Sequence, residues 1–248
     1  TGSGTWSVGN INTGTIKVYD GTLILSGTAG CYYNEMRVTG GTVTGDFTIF
    51  SNDRRCSPYI SGTGTIAPGN SVGTVTVSYG TSGGTPAVTI NDYSFSMRTG
   101  STYEWEVGSS ATDTIYISAG GLFLQDFTLK ILDAGGTPAA TDQLPVFTYA
   151  SGVIRDMSGF LNKFDTSALG STWRTSGLSL ADDGQGTIYL TGLSVARDGT
   201  LHIVKFFDAN GNGEQDQGEL TLETGSFNFE IFDATGALVG TFPNSQPI

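Results

Sequence analysis

The 248 residues include no run of 18 apolar side chains, the length a bilayer-spanning helix needs. Charge is scarce as well: 14% of the residues are Asp, Glu, Lys or Arg, against roughly 25% in an average soluble domain. Bases are the scarcer sign, 11 against 23 acids, which leaves a net charge of −12. An acidic surface repels nucleic-acid phosphates and anionic membranes, so neither is an expected partner. The one histidine, His202, has no serine or aspartate motif beside it, so a Ser-His-Asp triad is not expected. No phosphate loop, redox CxxC or zinc-ligand spacing occurs. Cysteine is limited to Cys31 and Cys56. An even count in a chain of extracellular texture predicts a disulfide between them.

What the chain has instead is glycine, 37 residues of it, with threonine, serine and valine in place of helix formers. That bias favours many short strands joined by tight turns. Period-2 stretches recur from the start: "GTIKVYD", "GTLILSG", "NEMRVTG", "GTVTGDFTIFS", "ISGTGTIAPG", "GTVTVSYG", "AVTIND", "YSFSMRTG", "TYEWEVG" and "DTIYIS". No helical stripe appears before residue 150. A unit of Gly-Thr, hydrophobic, any residue, hydrophobic returns at Gly14, Gly21, Gly41, Gly64 and Gly73. A recurrent strand unit with glycine corners is the mark of a solenoid, here a parallel β-helix with coils of roughly 20 residues or more. Cys31 and Cys56 stand about one coil apart, so a disulfide would tie a loop to its neighbour in the next turn. Residues 151–192 are less regular, carry Phe160, Phe164, Leu169 and Trp173, and include a possible short helix at "GFLNKF"; they read as the segment that caps the last coil.

"GNINTGTIKVYDGTLILSG" resembles the autotransporter-associated β-strand repeat, and "SGTGTIAPGNSVGTVTV" is similar to the segment that ends many such arrays. "YEWEVGSSATDTIYISAGGLFLQDFTLKIL" and "DQLPVFTYASG" resemble the last coils of such passengers. The resemblance implies an all-β, right-handed parallel β-helix over residues 1–195, exposed outside the cell. No membrane β-barrel follows in the sequence, so self-secretion is not implied.

The texture changes after "LTGLSVARDG". A strand "TLHIVKFFD" leads into "DANGNGEQDQGE", then into "SFNFEIFDATGALVGTF", a hairpin pattern with its turn at "DATGA". The dodecapeptide has the calcium-loop spacing D-x-[DN]-x-[DN]-G with an acid at the twelfth place. Asp208, Asn210 and Asn212 alternate so that their oxygens converge, and Gly213 permits the sharp turn. Glu214 offers a backbone carbonyl, Asp216 a direct or water-bridged oxygen, and Glu219 two oxygens, the donor set Ca²⁺ prefers over Mg²⁺. Within this terminal unit, residues 199–248, the stretch 199–242 resembles the B-type repeats of serine-aspartate-repeat surface proteins and related prealbumin-like, immunoglobulin-like domains. That family needs about seven strands and the sequence supplies about four. Lys205 lies where some relatives form a Lys–Asn isopeptide bond, but the partner strand is not found.

Parallel β-helices also host carbohydrate-active enzymes, so acid pairs matter. Glu104 and Glu106 share one face of "YEWEV", the arrangement glycoside hydrolysis uses, though alternating acids on a strand usually mark a solvated face. Asp182 and Asp183 fall in the turn "LADDGQG", and Asp53, Arg54 and Arg55 form the densest charged group. Tyr32, Tyr33, Tyr59, Tyr103 and Trp105 are candidates to stack on sugars. The expectation is an extracellular, non-enzymatic structural protein, a calcium-stabilised fibre or surface-layer subunit associating head to tail. Its "TGSGTWSVGNINTGTIKV" opens directly in repeat-like strand, which a neighbouring subunit would cover. The alternatives are an adhesin binding glycan or a surface protein, and a polysaccharide-degrading enzyme.

Overall fold

A strand that alternates apolar and polar residues has one face for the core and one for water. "TYEWEV" at Thr102–Val107 buries Tyr103, Trp105 and Val107 completely and turns Thr102, Glu104 and Glu106 outward. When such strands are stacked in parallel and joined by corners, their inward faces enclose a core. The computed structural model describes residues 4–13, 15–31, 36–51, 57–69, 71–79, 88–90, 93–108, 111–135, 143–171, 173–195, 209, 211, 217, 228–232 and 238–243. The chain divides into two compact units, Thr1–Ala196 and Arg197–Ile248.

The first unit is a parallel β-helix with three strands to each coil. Coil 1 is β1 (Thr5–Val8), β2 (Ile11–Thr13) and β3 (Ile16–Val18). Coil 2 is β4 (Thr22–Leu25), β5 (Thr28–Cys31) and β6 (Met36–Val38); coil 3 is β7 (Thr42–Gly45), β8 (Phe47–Ser51) and β9 (Tyr59–Ile60). Coil 4 is β10 (Thr65–Pro68), β11 (Thr74–Tyr79) and β12 (Ser94–Met97). Coil 5 is β13 (Thr102–Val107), β14 (Thr114–Ile117) and β15 (Gly121–Leu124); coil 6 is β16 (Thr128–Asp133), β17 (Leu144–Tyr149) and β18 (Ile154–Asp156). Among the described residues the first strands of the coils form one sheet, the second strands another and the third strands a third, every pair parallel and in order.

Register is marked by repetition. Thr5, Thr22, Thr42, Thr65, Thr102 and Thr128 are successive partners along the first sheet. Beside them runs an inward row, Trp6, Leu23, Val43, Ile66, Tyr103 and Leu129. The second sheet stacks Ala29, Ile49, Val77, Ile117 and Tyr149, and the third Val18, Val38, Ile60, Met97 and Leu124. A slip of one residue would turn an entire row to water, so each buried row holds its register.

The far end of the stack is closed by antiparallel pairing. β19 (Lys163–Ala168) extends the first sheet, while β20 (Trp173–Asp182) and β21 (Thr187–Val195) form a hairpin whose β21 runs antiparallel to β17. The helix expected at "GFLNKF" is not formed. Asn162 takes φ 54, outside the helical range, and Lys163 begins a strand. Phe160 and Phe164 meet edge to face at 5.8 Å, and Phe160 lies 4.8 Å from Phe127. "AVTIND" also departs from the expected strand: of its described residues, Thr89 makes only a single bridge. In the second unit the described strands are β22 (Asn228–Phe232) and β23 (Leu238–Pro243), an antiparallel pair.

Candidate functional site

The predicted calcium ligands Asp208, Asn210, Asn212, Glu214, Asp216 and Glu219 lie outside the described residues. Within the loop, Gly211 has φ 75, a left-handed turn conformation suited to glycine. Among the described residues no group of three or more His, Cys, Asp or Glu is placed to hold a metal ion. Cys31 belongs to β5, where its partner in the next coil is Ser51. Cys56 lies outside the described residues, and with it the predicted disulfide. Tyr32, Tyr33, Asp53, Arg54, Arg55, His202 and Lys205 are outside them too.

One acid of each pair, Glu104 and Asp182, is occupied in joining neighbouring strands. Glu104 pairs with Lys130 one coil on, at 2.8 Å, and this bond holds the Lys130 ammonium above its usual pKa. Glu106 turns the same way, but burial and the neighbouring Glu104 push its carboxyl up. Asp182 accepts from the Tyr149 hydroxyl at 2.5 Å and from Arg155 Nε at 2.7 Å. Arg155 also lies over the Tyr149 ring, 4.4 Å from its centroid. Asp183 accepts the amides of Gln185, Gly186 and Thr187 and so shapes the β20–β21 turn. Two sugar-stacking candidates are withdrawn: Tyr103 and Trp105 are core residues on the inward face of β13. Tyr59 carries the Arg98 guanidinium 3.9 Å from its ring centroid and that of Arg37 at 5.5 Å.

A feature missed in the sequence lies at the corner between the first and second sheets. In coils 1 to 5 the residue just ahead of the second-sheet strand alternates between Asx and glycine, Asn10, Gly27, Asp46, Gly73 and Asp113, and in coil 6 it is Gln143. Asn10 Oδ1 accepts the Thr28 amide of the coil above at 2.8 Å, and Asp46 Oδ1 accepts the Thr74 amide at 2.7 Å. The glycines make room for them. A Cβ on Gly27 would stand 2.4 Å from Asn10 Oδ1, and one on Gly73 would stand 2.4 Å from Asp46 Oδ1. The signal was present as an Asn or Asp before alternate strands, but it becomes visible only once the coils are superimposed.

The two ends of the stack differ. At the far end Trp173 is 7% exposed and its Nε1 donates to Asp133 Oδ2 at 2.9 Å. In coil 1, Trp6 occupies the inward row yet is 46% exposed, and Tyr19, just after β3, is 60% exposed. In the same row Val43, Ile66, Tyr103 and Leu129 are fully buried. Compared with known proteins, the chain matches no family model and finds no significant counterpart among curated proteins.

Proposed function

We propose that the protein is a structural component of an extracellular assembly: a β-helical rod whose terminal unit binds Ca²⁺ and whose copies join head to tail. The observation that carries this reading is the exposure of Trp6 in the inward row of the first sheet, 46% in coil 1, opposite an end closed by an antiparallel hairpin. Among the described residues β1, β2 and β3 are the end strands of their sheets, where strand addition would supply ladder hydrogen bonds and apolar cover together. The terminal unit contributes strands of its own, β22 and β23, and is the part of another copy that fits this role. A heterologous contact of this kind extends into a filament unless its rotation closes a ring.

Two further observations favour a structural over a catalytic role. Glu104 is spent on a coil-to-coil bond with Lys130, and Asp182 on bonds from the closing hairpin to Tyr149 and Arg155. The terminal loop offers an all-oxygen donor set, Asp208, Asn210, Asn212, Asp216 and Glu219 through side chains and Glu214 through its carbonyl, in keeping with Ca²⁺. The low charge and the acidic balance suit a secreted chain among divalent cations.

The test is sedimentation of the full chain at rising concentration with calcium present. Mass that grows with concentration, and that Trp6→Glu abolishes while the circular dichroism stays unchanged, is the expected result. A monomer across the whole range overturns the reading.

A further inference from the structure

The amide of the first-sheet threonine reaches back one coil at every step. Thr22, Thr42, Thr65, Thr102 and Thr128 donate to the carbonyls of Gly4, Gly21, Gly41, Gly64 and Ser101, at 2.8 to 3.0 Å. In a parallel ladder, alternate residues of a strand turn their N–H and C=O to opposite neighbours. Thr5, the row mate of Thr22, and Ser7 therefore point theirs away from β4. Among the described residues no strand lies beyond β1 to meet them. The third sheet repeats the pattern: the Thr39 amide donates to the Val18 carbonyl at 2.9 Å, and Arg37 turns the same way. Lys17, the row mate of Arg37, thus faces away from β6.

The side chains tell the two edges apart. In the first sheet the inward row passes from Trp6, 46% exposed, through half-buried Leu23 to Val43, which is fully buried. In the third sheet Ile16 and Val18 of the same first coil are only 6% and 7% exposed. Coil 1 is covered at β3 and short of cover at β1. The Trp6 indole is also held in place. A Cβ on Gly21 would stand 2.8 Å from its Cζ3 and one on Gly4 3.3 Å from its Cζ2, so the ring lies against both glycines. A large aromatic side chain fixed on one side and open on the other is suited to anchor a protein interface.

We propose that the joint between copies is made on the first sheet alone: a strand from a second copy's terminal unit pairs with the free edge of β1, its carbonyls accept the Thr5 and Ser7 amides, and it lays an apolar residue over Trp6. This rests on the head-to-tail reading and narrows it from three sheet edges to one. Of the two described strands of the terminal unit, β22 suits the task. Its sequence, NFEIF, alternates polar and apolar residues, as a strand with one face on a partner's core must. β23 carries Gly240 in its middle and ends in Pro243, which has no amide to give. Added there, the strand supplies the missing ladder bonds and the cover for Trp6 in one step.

Proline is tolerated on an edge strand where its missing N–H would face solvent, so Ser7→Pro deletes one of the two amides and leaves the pairing of β1 with β4 intact. In sedimentation of the full chain with calcium, Ser7→Pro is expected to weaken association at least about tenfold, the weight of one lost ladder bond with its acceptor left unpaired. Lys17→Pro, the matching change on β3, is expected to leave association as it is. Hydrogen exchange of the unaltered chain gives a reading that depends on neither variant. Protection of the segment 5–8 should rise at least about tenfold from the lowest to the highest concentration, while that of 16–18 stays level. Association that the two prolines affect alike, or that Lys17→Pro alone weakens, overturns this assignment and leaves the head-to-tail reading standing. So does growing mass with protection of 5–8 unchanged. A chain that stays monomeric throughout overturns both.

Discussion

Trp173 donates its indole N–H to Asp133 across 2.9 Å and so joins the closing hairpin to the end of β16. The bond spans 40 positions of sequence and sits where the parallel stack gives way to antiparallel pairing. An open solenoid end exposes core and unpaired backbone, and this contact is part of what prevents it here.

Replacing Trp173 by Phe keeps most of the buried ring and removes the donor. Because Asp133 is exposed and water can replace the lost partner, the expected cost is about 1 kcal/mol. Trp173→Ala empties the site as well and is expected to cost about 3–5 kcal/mol. Urea unfolding measures both; equal costs for the two substitutions would contradict this assignment.

The same cap is expected to loosen in acid. Burial pushes the Asp182 carboxyl up, but hydrogen bonds from Tyr149, Arg155 and the Gly184 amide outweigh it and hold the group below its usual range. Asp183 is held low by the Thr187 and Gln185 amides. A depressed carboxylate contributes stability above its unfolded value of roughly 4 and loses it as pH falls further. Hydrogen exchange in 173–195 should therefore rise below about pH 4, and Asp182→Asn should flatten that dependence. A cap whose protection holds steady down to about pH 2 would refute it.

Gly27→Ala tests the alternating corner. The new Cβ would stand 2.4 Å from both Asn10 Oδ1 and the Gly9 carbonyl oxygen. Overpacking of this kind costs about 1–3 kcal/mol, with about 1 more for the strained Asn10–Thr28 bond. Gly9→Ala is the control, since a Cβ there meets nothing within 4 Å, and it should stay within about 0.5 kcal/mol of the parent. Calorimetry that ranks the two the other way would discard the corner's steric account.

Calcium removal should act on one unit only. Chelation leaves the acids of Asp208–Glu219 to repel one another, while a bound ion stabilises by RT ln(1 + [L]/Kd). The expected thermogram shows one transition that moves with calcium and one, from the β-helix, that does not. A double substitution, Asp208→Ala with Glu219→Ala, should fix the first at its chelated position. Identical thermograms with calcium and with chelator would exclude the site.

The β-helix was legible because its signal is local. A Gly-Thr unit followed by alternating apolar residues predicts a strand wherever it occurs, and Gly21, Gly41 and Gly64 each open a first-sheet strand. Its face was not legible, since Gly73–Thr74 carries the same letters into the second sheet. "GFLNKF" misled for a related reason: Phe160 and Phe164 stand at helical spacing, yet they meet across an irregular bend at Asn162. The corner was hidden by distance. Gly73 and Asp113 are 40 positions apart, and the step between row mates varies from short, Thr5 to Thr22, to long, Thr65 to Thr102. Only stacking reveals which residues are neighbours. The proposed calcium loop rests on ligand spacing alone, a pattern contained within twelve consecutive residues, and its ligands lie outside the described residues.

The alternation of Asn10, Gly27, Asp46 and Gly73 gives coils 1 to 4 a hidden period of two. Excising coil 2 alone would set Asn10 against Asp46, two bulky acceptors in a space shaped for one. Excising coils 2 and 3 together would set Asn10 against Gly73 and restore the original fit. Duplication or shortening within these four coils, whether by recombination or by a protein engineer, therefore proceeds most readily in pairs of coils.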